Sequence, residues 1–182
     1  MKKLSLIALL LSAVLLLQNC KKDTISATAT SSATMFAVIN DTTWNAQTIN
    51  TTITYNAATK SKVINCTAAA NNKELSMLIT QANASNSAGF PLNTYNANAS
   101  GTIAFSYLTK QNNAYVPLGT VAAGSGTFVI TAIDSVKKQM TGTFSFTALK
   151  NNYDNSGNIV SVTISEVADG AFNNMPYTFT SN

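Results

Sequence analysis

Gly142-Thr143-Phe144-Ser145-Phe146-Thr147-Ala148 decides the fold of this chain. Phe144, Phe146 and Ala148 fall at every second position, opposite Thr143, Ser145 and Thr147. Side chains of an extended strand alternate between faces, whereas a helical stripe recurs every three and four residues, so the stretch predicts a half-buried strand. The rhythm continues on both sides of it. Phe128, Ile130 and Ala132 share one face, and Ile103, Phe105 and Tyr107 alternate with Thr102, Ala104 and Ser106. Ile49, Thr51, Ile53 and Tyr55 alternate with Thr48, Asn50, Thr52 and Thr54, while Val160, Val162 and Ile164 oppose Ser161, Thr163 and Ser165. β-Branched, threonine and aromatic residues dominate these runs, as suits a pleated surface.

Turn formers separate the runs: Asn71-Asn72, Ala88-Gly89-Phe90-Pro91, Gln111-Asn112-Asn113, Asp134 to Lys138, and Asp154-Asn155-Ser156-Gly157-Asn158. No helical stripe persists after Leu17. About nine or ten short strands with tight connections predict an all-β antiparallel meander forming a β-sandwich. A closed or flattened, lipocalin-like β-barrel is the alternative.

Residues 1–19 read differently. Lys2 and Lys3 precede an apolar run from Leu4 to Leu17, which matches an export signal and is too short for a spanning helix of roughly 20 residues. The junction Leu17-Gln18-Asn19-Cys20 resembles the bacterial lipobox, with Leu17 at −3 and Cys20 as the acceptor of lipid. Asn19 departs from the small residue usual at −1. The competing cleavage triplet, Ala27-Thr28-Ala29, lies about a dozen residues past the apolar run, farther than such sites usually fall. The expected organisation is therefore a signal peptide over 1–19, an acylated Cys20 with a flexible polar tether over 20–33, and one all-β domain over 34–182. The tether would space the domain from the bilayer by roughly 20 Å. Lys21 stands where inner-membrane retention would want Asp, which favours the outer membrane. A cell-envelope, lipid-anchored location follows, with the membrane as partner through N-terminal acyl chains.

Composition narrows the function classes. The formal charge is +4, but without Lys2 and Lys3 nine lysines face seven acids. There is no arginine, the usual bidentate reader of phosphates and bases, so no nucleic-acid partner is expected. Only Cys20 and Cys66 are present. With Cys20 acylated, Cys66 has no disulfide partner, and its apolar neighbours predict a buried structural thiol.

From Met35 to Phe179 the layout resembles a family of small Bacteroidetes-type lipoproteins whose domain has no known function. The resemblance rests on Phe36-Ala37-Val38-Ile39-Asn40 followed by Trp44-Asn45-Ala46, then on the paired Gly126-Thr127-Phe128-Val129-Ile130 and Gly142-Thr143-Phe144-Ser145-Phe146. It closes on Gly170-Ala171-Phe172-Asn173-Asn174-Met175-Pro176-Tyr177. The resemblance implies a β-rich, lipid-anchored domain and assigns no catalytic residue.

The chain has no histidine, which removes Ser-His-Asp and Cys-His catalysis and every His-ligated metal site. A carboxylate pair of the kind glycosidases use would have to come from Asp41, Glu74, Asp134, Asp154, Glu166 and Asp169. Turn and surface roles explain most of these, and no catalytic residue is assigned. Asn152, Asp154 and Ser156 occupy positions one, three and five of a calcium-type loop, with Gly157 at six and Ile159 at eight. Thr163 stands where a bidentate Glu belongs, so a plain polar loop is expected, with no metal and no cofactor. Trp44, Phe90, Tyr95, Tyr115 and Tyr153 fall in or near connections. Among them Trp44, Tyr115 and Tyr153 are the candidates for a sugar-stacking platform, against the reading that such rings plug the ends of a sandwich.

The expected function is a non-enzymatic binding or structural domain, with a glycan, an apolar ligand or a protein as its partner. One alternative is a barrel-type carrier holding a small apolar ligand among Phe105, Phe128, Phe144 and Phe146. The other is a carboxylate-dependent, glycan-active enzyme.

Overall fold

The computed structural model describes residues 34–182. The expected signal peptide, Cys20 and the expected tether lie outside the described residues. Twelve strands account for most of the rest: β1 (Met35–Ile39), β2 (Thr42–Asn45), β3 (Thr48–Asn56), β4 (Ser61–Ala70), β5 (Lys73–Gln81) and β6 (Thr94–Asn96). They continue as β7 (Ile103–Gln111), β8 (Ala114–Pro117), β9 (Thr120–Asp134), β10 (Gln139–Tyr153), β11 (Ile159–Pro176) and β12 (Thr178–Ser181). The expected all-β class is what the chain adopts.

Asparagine makes the tight turns. Asn40-Asp41, Asn71-Asn72 and Asn112-Asn113 all have positive φ and join β1 to β2, β4 to β5 and β7 to β8. Two-residue hairpin turns whose twist matches the flanking strands need φ above zero at both central positions, which asparagine and aspartate tolerate best.

The strands form two six-stranded sheets rather than a closed barrel. Their orders are β2-β1-β11-β10-β9-β6 and β12-β3-β4-β5-β7-β8. Two features depart from a simple meander of nine or ten strands. β1 lies between β2 and β11, and β12 pairs in parallel with β3, from Thr178 opposite Thr52 to Ser181 opposite Tyr55. The first pairing joins β1 to β11, strands far apart in sequence, a long-range choice that local periodicity does not encode.

The sheets meet face to face over an aromatic core. Phe128 stacks on Phe172 at 4.8 Å, and Phe105 of one sheet stacks on Phe146 of the other at 5.4 Å. The phenylalanines proposed to line a carrier cavity therefore fill the interior against one another. Trp44 is buried, and its indole N–H donates to the carbonyl of Ala70, tying β2 of one sheet to β4 of the other at 3.4 Å. Cys66 is fully buried and accepts a hydrogen bond from the Thr51 hydroxyl at 3.3 Å. Burial pushes its thiol up to about 11, as expected for a charge that would lose its water. The described residues fall within one compact unit, and the pairings described above close within 34–182. This segment holds the core it needs to fold alone.

Candidate functional site

β10 and β11 run past the sandwich. β9 last pairs with β10 at Leu149 opposite Thr120, and β1 last pairs with β11 at Ile39 opposite Val167. Beyond these points β10 and β11 pair only with each other, from Leu149 opposite Ile164 to Tyr153 opposite Ile159. The result is a two-stranded arm, closed by the loop Asp154–Asn158.

The register decides what the arm shows. On β10 the even positions Phe144, Phe146 and Ala148 are buried, and on β11 Ser165 and Val167 are. Continuing the alternation turns Lys150, Asn152, Ser161 and Thr163 to the core side and Leu149, Asn151, Tyr153, Val160, Val162 and Ile164 to the outer side, and a register shift after Asn152 sets Ile159 opposite Tyr153, on that outer side as well. The core-side row is polar, and the Asn152 amide donates to the hydroxyls of Ser161 and Thr163 at 3.1 and 2.9 Å. The outer row is bare and apolar except for Asn151, which stands opposite Val162 and donates its amide N–H to the Tyr153 hydroxyl at 3.4 Å. Val160, Val162 and Ile164 are 50–63 % exposed, Ile159 55 %, Tyr153 59 % and Leu149 39 %. No charged side chain interrupts that row. A globular domain normally arranges polarity the other way round.

At the foot of the arm, on the same outer face, lies a shallow depression of about 280 Å3 bordered by Gly124, Thr127, Ser145, Thr147 and Glu166. Thr127 and Ser145 hydroxyls meet across it at 3.1 Å.

Asp154 holds the loop at the tip. Its carboxylate accepts the backbone N–H groups of Ser156 and Asn158 at 2.8 and 2.9 Å and the Asn158 amide at 3.2 Å. These donors hold its pKa below the ordinary carboxylate value. Asn152, proposed as a partner of Asp154 in a calcium loop, instead turns to Ser161 and Thr163. Asn152, Asp154 and Ser156 therefore do not converge as a ligand set, and among the described residues no group of three or more acidic or cysteine side chains could hold a metal.

The aromatic candidates do not form one platform. Trp44 is sealed between the sheets, Tyr115 is 36 % exposed on the edge strand β8, and Tyr153 stands on the arm of the other sheet. Phe90 and Tyr95 are also buried, edge to face at 5.7 Å. Glu74 lies on β5 and Glu166 on β11, in different sheets. Asp41 and Asp169 take positive φ, and Asp134 accepts the N–H groups of Val136 and Lys137 in its turn.

Lys62 was not singled out in the sequence. Only 2 % exposed, its ammonium donates to the Gly89 carbonyl at 2.7 Å and the Ser87 hydroxyl at 3.2 Å. Burial lowers its pKa. It pins the long segment between β5 and β6 to β4. The available signal was its place in the alternation with Ile64 and Cys66, which a charged residue on a core face ought to have flagged.

The profile of a family described as a domain of unknown function, DUF6252, matches residues 31–176. The chain belongs to this family. No curated protein and no solved structure matches it significantly. The residues that carried the resemblance turn out to be packing elements. A Cβ on Gly142 would overlap the Val129 carbonyl, one on Gly170 would lie 2.5 Å from the Phe144 carbonyl, and one on Gly126 would lie 2.8 Å from the Phe105 ring. The glycines let β9, β10 and β11 press against their neighbours' backbones and rings. They describe how the sheet closes and name no ligand.

Proposed function

We propose that this chain is a lipid-anchored, non-catalytic binding domain of the outer membrane, held by acyl chains on Cys20 and working through the β10–β11 arm. The observation that carries this reading is the bare apolar row of Leu149, Tyr153, Ile159, Val160, Val162 and Ile164. An exposed row of that kind marks an interaction surface. The direction of the chain supports it. Met35 pairs with Phe172, near the end of β11 that lies opposite the arm. The fourteen or so residues from there to the arm's tip span roughly 45 Å. A domain tethered through its N-terminus would thus hold the arm away from the anchor.

Two measurements test the reading. Cys20→Ala should move the protein from the membrane to the soluble fraction of fractionated cells, and unchanged partitioning would refute the anchor. A photoreactive residue at Val162 should give a discrete cross-linked species in intact cells, whereas one at Ser161, on the polar face, should not. Absence of any species specific to Val162 would refute the arm as the working surface.

A further inference from the structure

We infer that the apolar face of the arm is covered by the same face of a second copy of this chain. The inference rests on the arm being the working surface and names its occupant. Three features select a second copy.

Area is the first. Six side chains exposing 39–63 % of their surface present on the order of 500 Å2, at the upper end of what a monomer leaves bare. Two such faces together remove about 1,000 Å2 from water, the lower bound for a specific interface.

Charge is the second. A two-fold contact sets every residue against its own kind or a near neighbour, so any charge on the face would meet its like. The row from Leu149 to Tyr153 and from Ile159 to Ile164 has none, because Lys150 lies on the opposite face and Asp154 is bound into the tip loop; the nearest charge on that face, Glu166, lies beyond Ile164 at the foot of the arm, outside the row. The same distribution argues against a bilayer as occupant. The tip that would enter first is Asp154-Asn155-Ser156-Gly157-Asn158, wholly polar, and only one lysine accompanies the ribbon, whereas membrane-surface elements are rich in basic residues.

Geometry is the third. The arm stands clear of the sandwich, with β9 and β1 both ending at its foot. Aligned face-to-face packing about a two-fold axis along the arm brings two apolar rows together as in a sandwich core. That axis also keeps both Thr34 ends on one side, so two copies tethered in one membrane can meet.

Sedimentation equilibrium of residues 31–182 from about 1 to 100 μM tests this. The expected result is a rise from one-chain to two-chain mass. Val162→Asp and Ile164→Asp should return the one-chain mass with the melting temperature unchanged, and Asn152→Asp, on the polar face, should leave the doubling intact. A one-chain mass throughout overturns the inference. So does a two-chain mass that survives Val162→Asp, which places the contact elsewhere. Co-sedimentation with phosphatidylglycerol vesicles that Val162→Asp abolishes also overturns it, in favour of a bilayer. If the Val162 cross-link in cells joins a different protein while the purified chain stays single, the second copy is refuted and the arm remains the working surface.

Discussion

Phe128→Ala measures whether the two sheets truly share one core. Phe128 is fully buried, and its ring lies 4.8 Å from that of Phe172 at an interplanar angle of 14°. Truncating a fully buried phenylalanine removes its transfer free energy and leaves a cavity, together about 3–5 kcal/mol, with the ring pair contributing about 0.5–1.5 kcal/mol of that loss. Strands fixed by ladder bonds on both sides collapse poorly into a void. Phe128 sits on β9, which pairs with β10 on one side and β6 on the other, so the expected loss is about 4 kcal/mol. For a domain of this size that lowers the melting temperature by roughly 8–16 °C. Phe128→Leu, which retains most of the volume, should cost about 1.5 kcal/mol. Val162→Ala should fall within about 0.5 kcal/mol, because Val162 is half exposed on the arm. Urea unfolding followed by tryptophan fluorescence reads all three, since Trp44 lies in the same core. The reasoning assumes an unchanged m-value, so that midpoint shifts report stability alone. A Phe128→Ala loss below about 1.5 kcal/mol, or one equal to that of Val162→Ala, would refute the face-to-face packing.

Three further expectations follow from individual elements. Replacing residues 150–163 by a two-residue Asn-Gly turn should change the stability of the domain by less than about 1 kcal/mol, because the arm's pairings are internal to it; calorimetry showing a larger fall would mean that the arm supports the core. Gly142→Ala should destabilise by at least about 2 kcal/mol through overlap with the Val129 carbonyl and the Phe172 ring, and a neutral result in urea unfolding would disprove the close approach. Asp134 and Asp154 both have folded pKa values below their ordinary ones because backbone N–H groups stabilise the carboxylates. Their contribution is present above the unfolded value of about 4 and is lost as pH falls through the lower folded value. Amide exchange at Val136, Lys137, Ser156 and Asn158 should therefore accelerate selectively in that acid window, and uniform protection through it would contradict the assigned hydrogen bonds.

Much of the fold was legible because local alternation and turn chemistry agree. Phe144, Phe146 and Ala148 lie on a buried face as their spacing implies, and Asn71-Asn72 and Asn112-Asn113 close hairpins as expected. Cys66 is buried as its apolar neighbours suggested. The pairing of β1 with β11 and of β12 with β3 was not legible, since strands that meet across most of the chain share no local signal. Trp44, Phe90 and Tyr95 sit near connections in sequence and turn inward beside Ala70 and Pro91, in keeping with the reading of such rings as plugs of the sandwich and against a stacking platform. The placing of the calcium-loop residues was not legible for a related reason. Asn152 belongs to a strand, where the pleat sends it to Ser161 and Thr163 rather than towards the loop.

The arm shows why function was harder to read than fold. Val160, Val162 and Ile164 have the same period-two signature as Phe144, Phe146 and Ala148, and either run predicts a strand with one face out of water. Periodicity reports that a face is apolar; it does not report which body covers it. Inside the sandwich the answer is the opposite sheet, because β9 and β11 flank β10 and hold its even face towards the core. Past Leu149 the flanking strands end, and the continuous pleat places the apolar row of β11 on the outer side. The sequence pattern thus asks for a second layer that the described residues do not provide. A layer supplied by an identical face satisfies the pattern with face-to-face sheet packing of the kind the sandwich core already uses. On that view Val162 and Phe146 obey one rule, and they differ only in whether the covering sheet belongs to the same molecule.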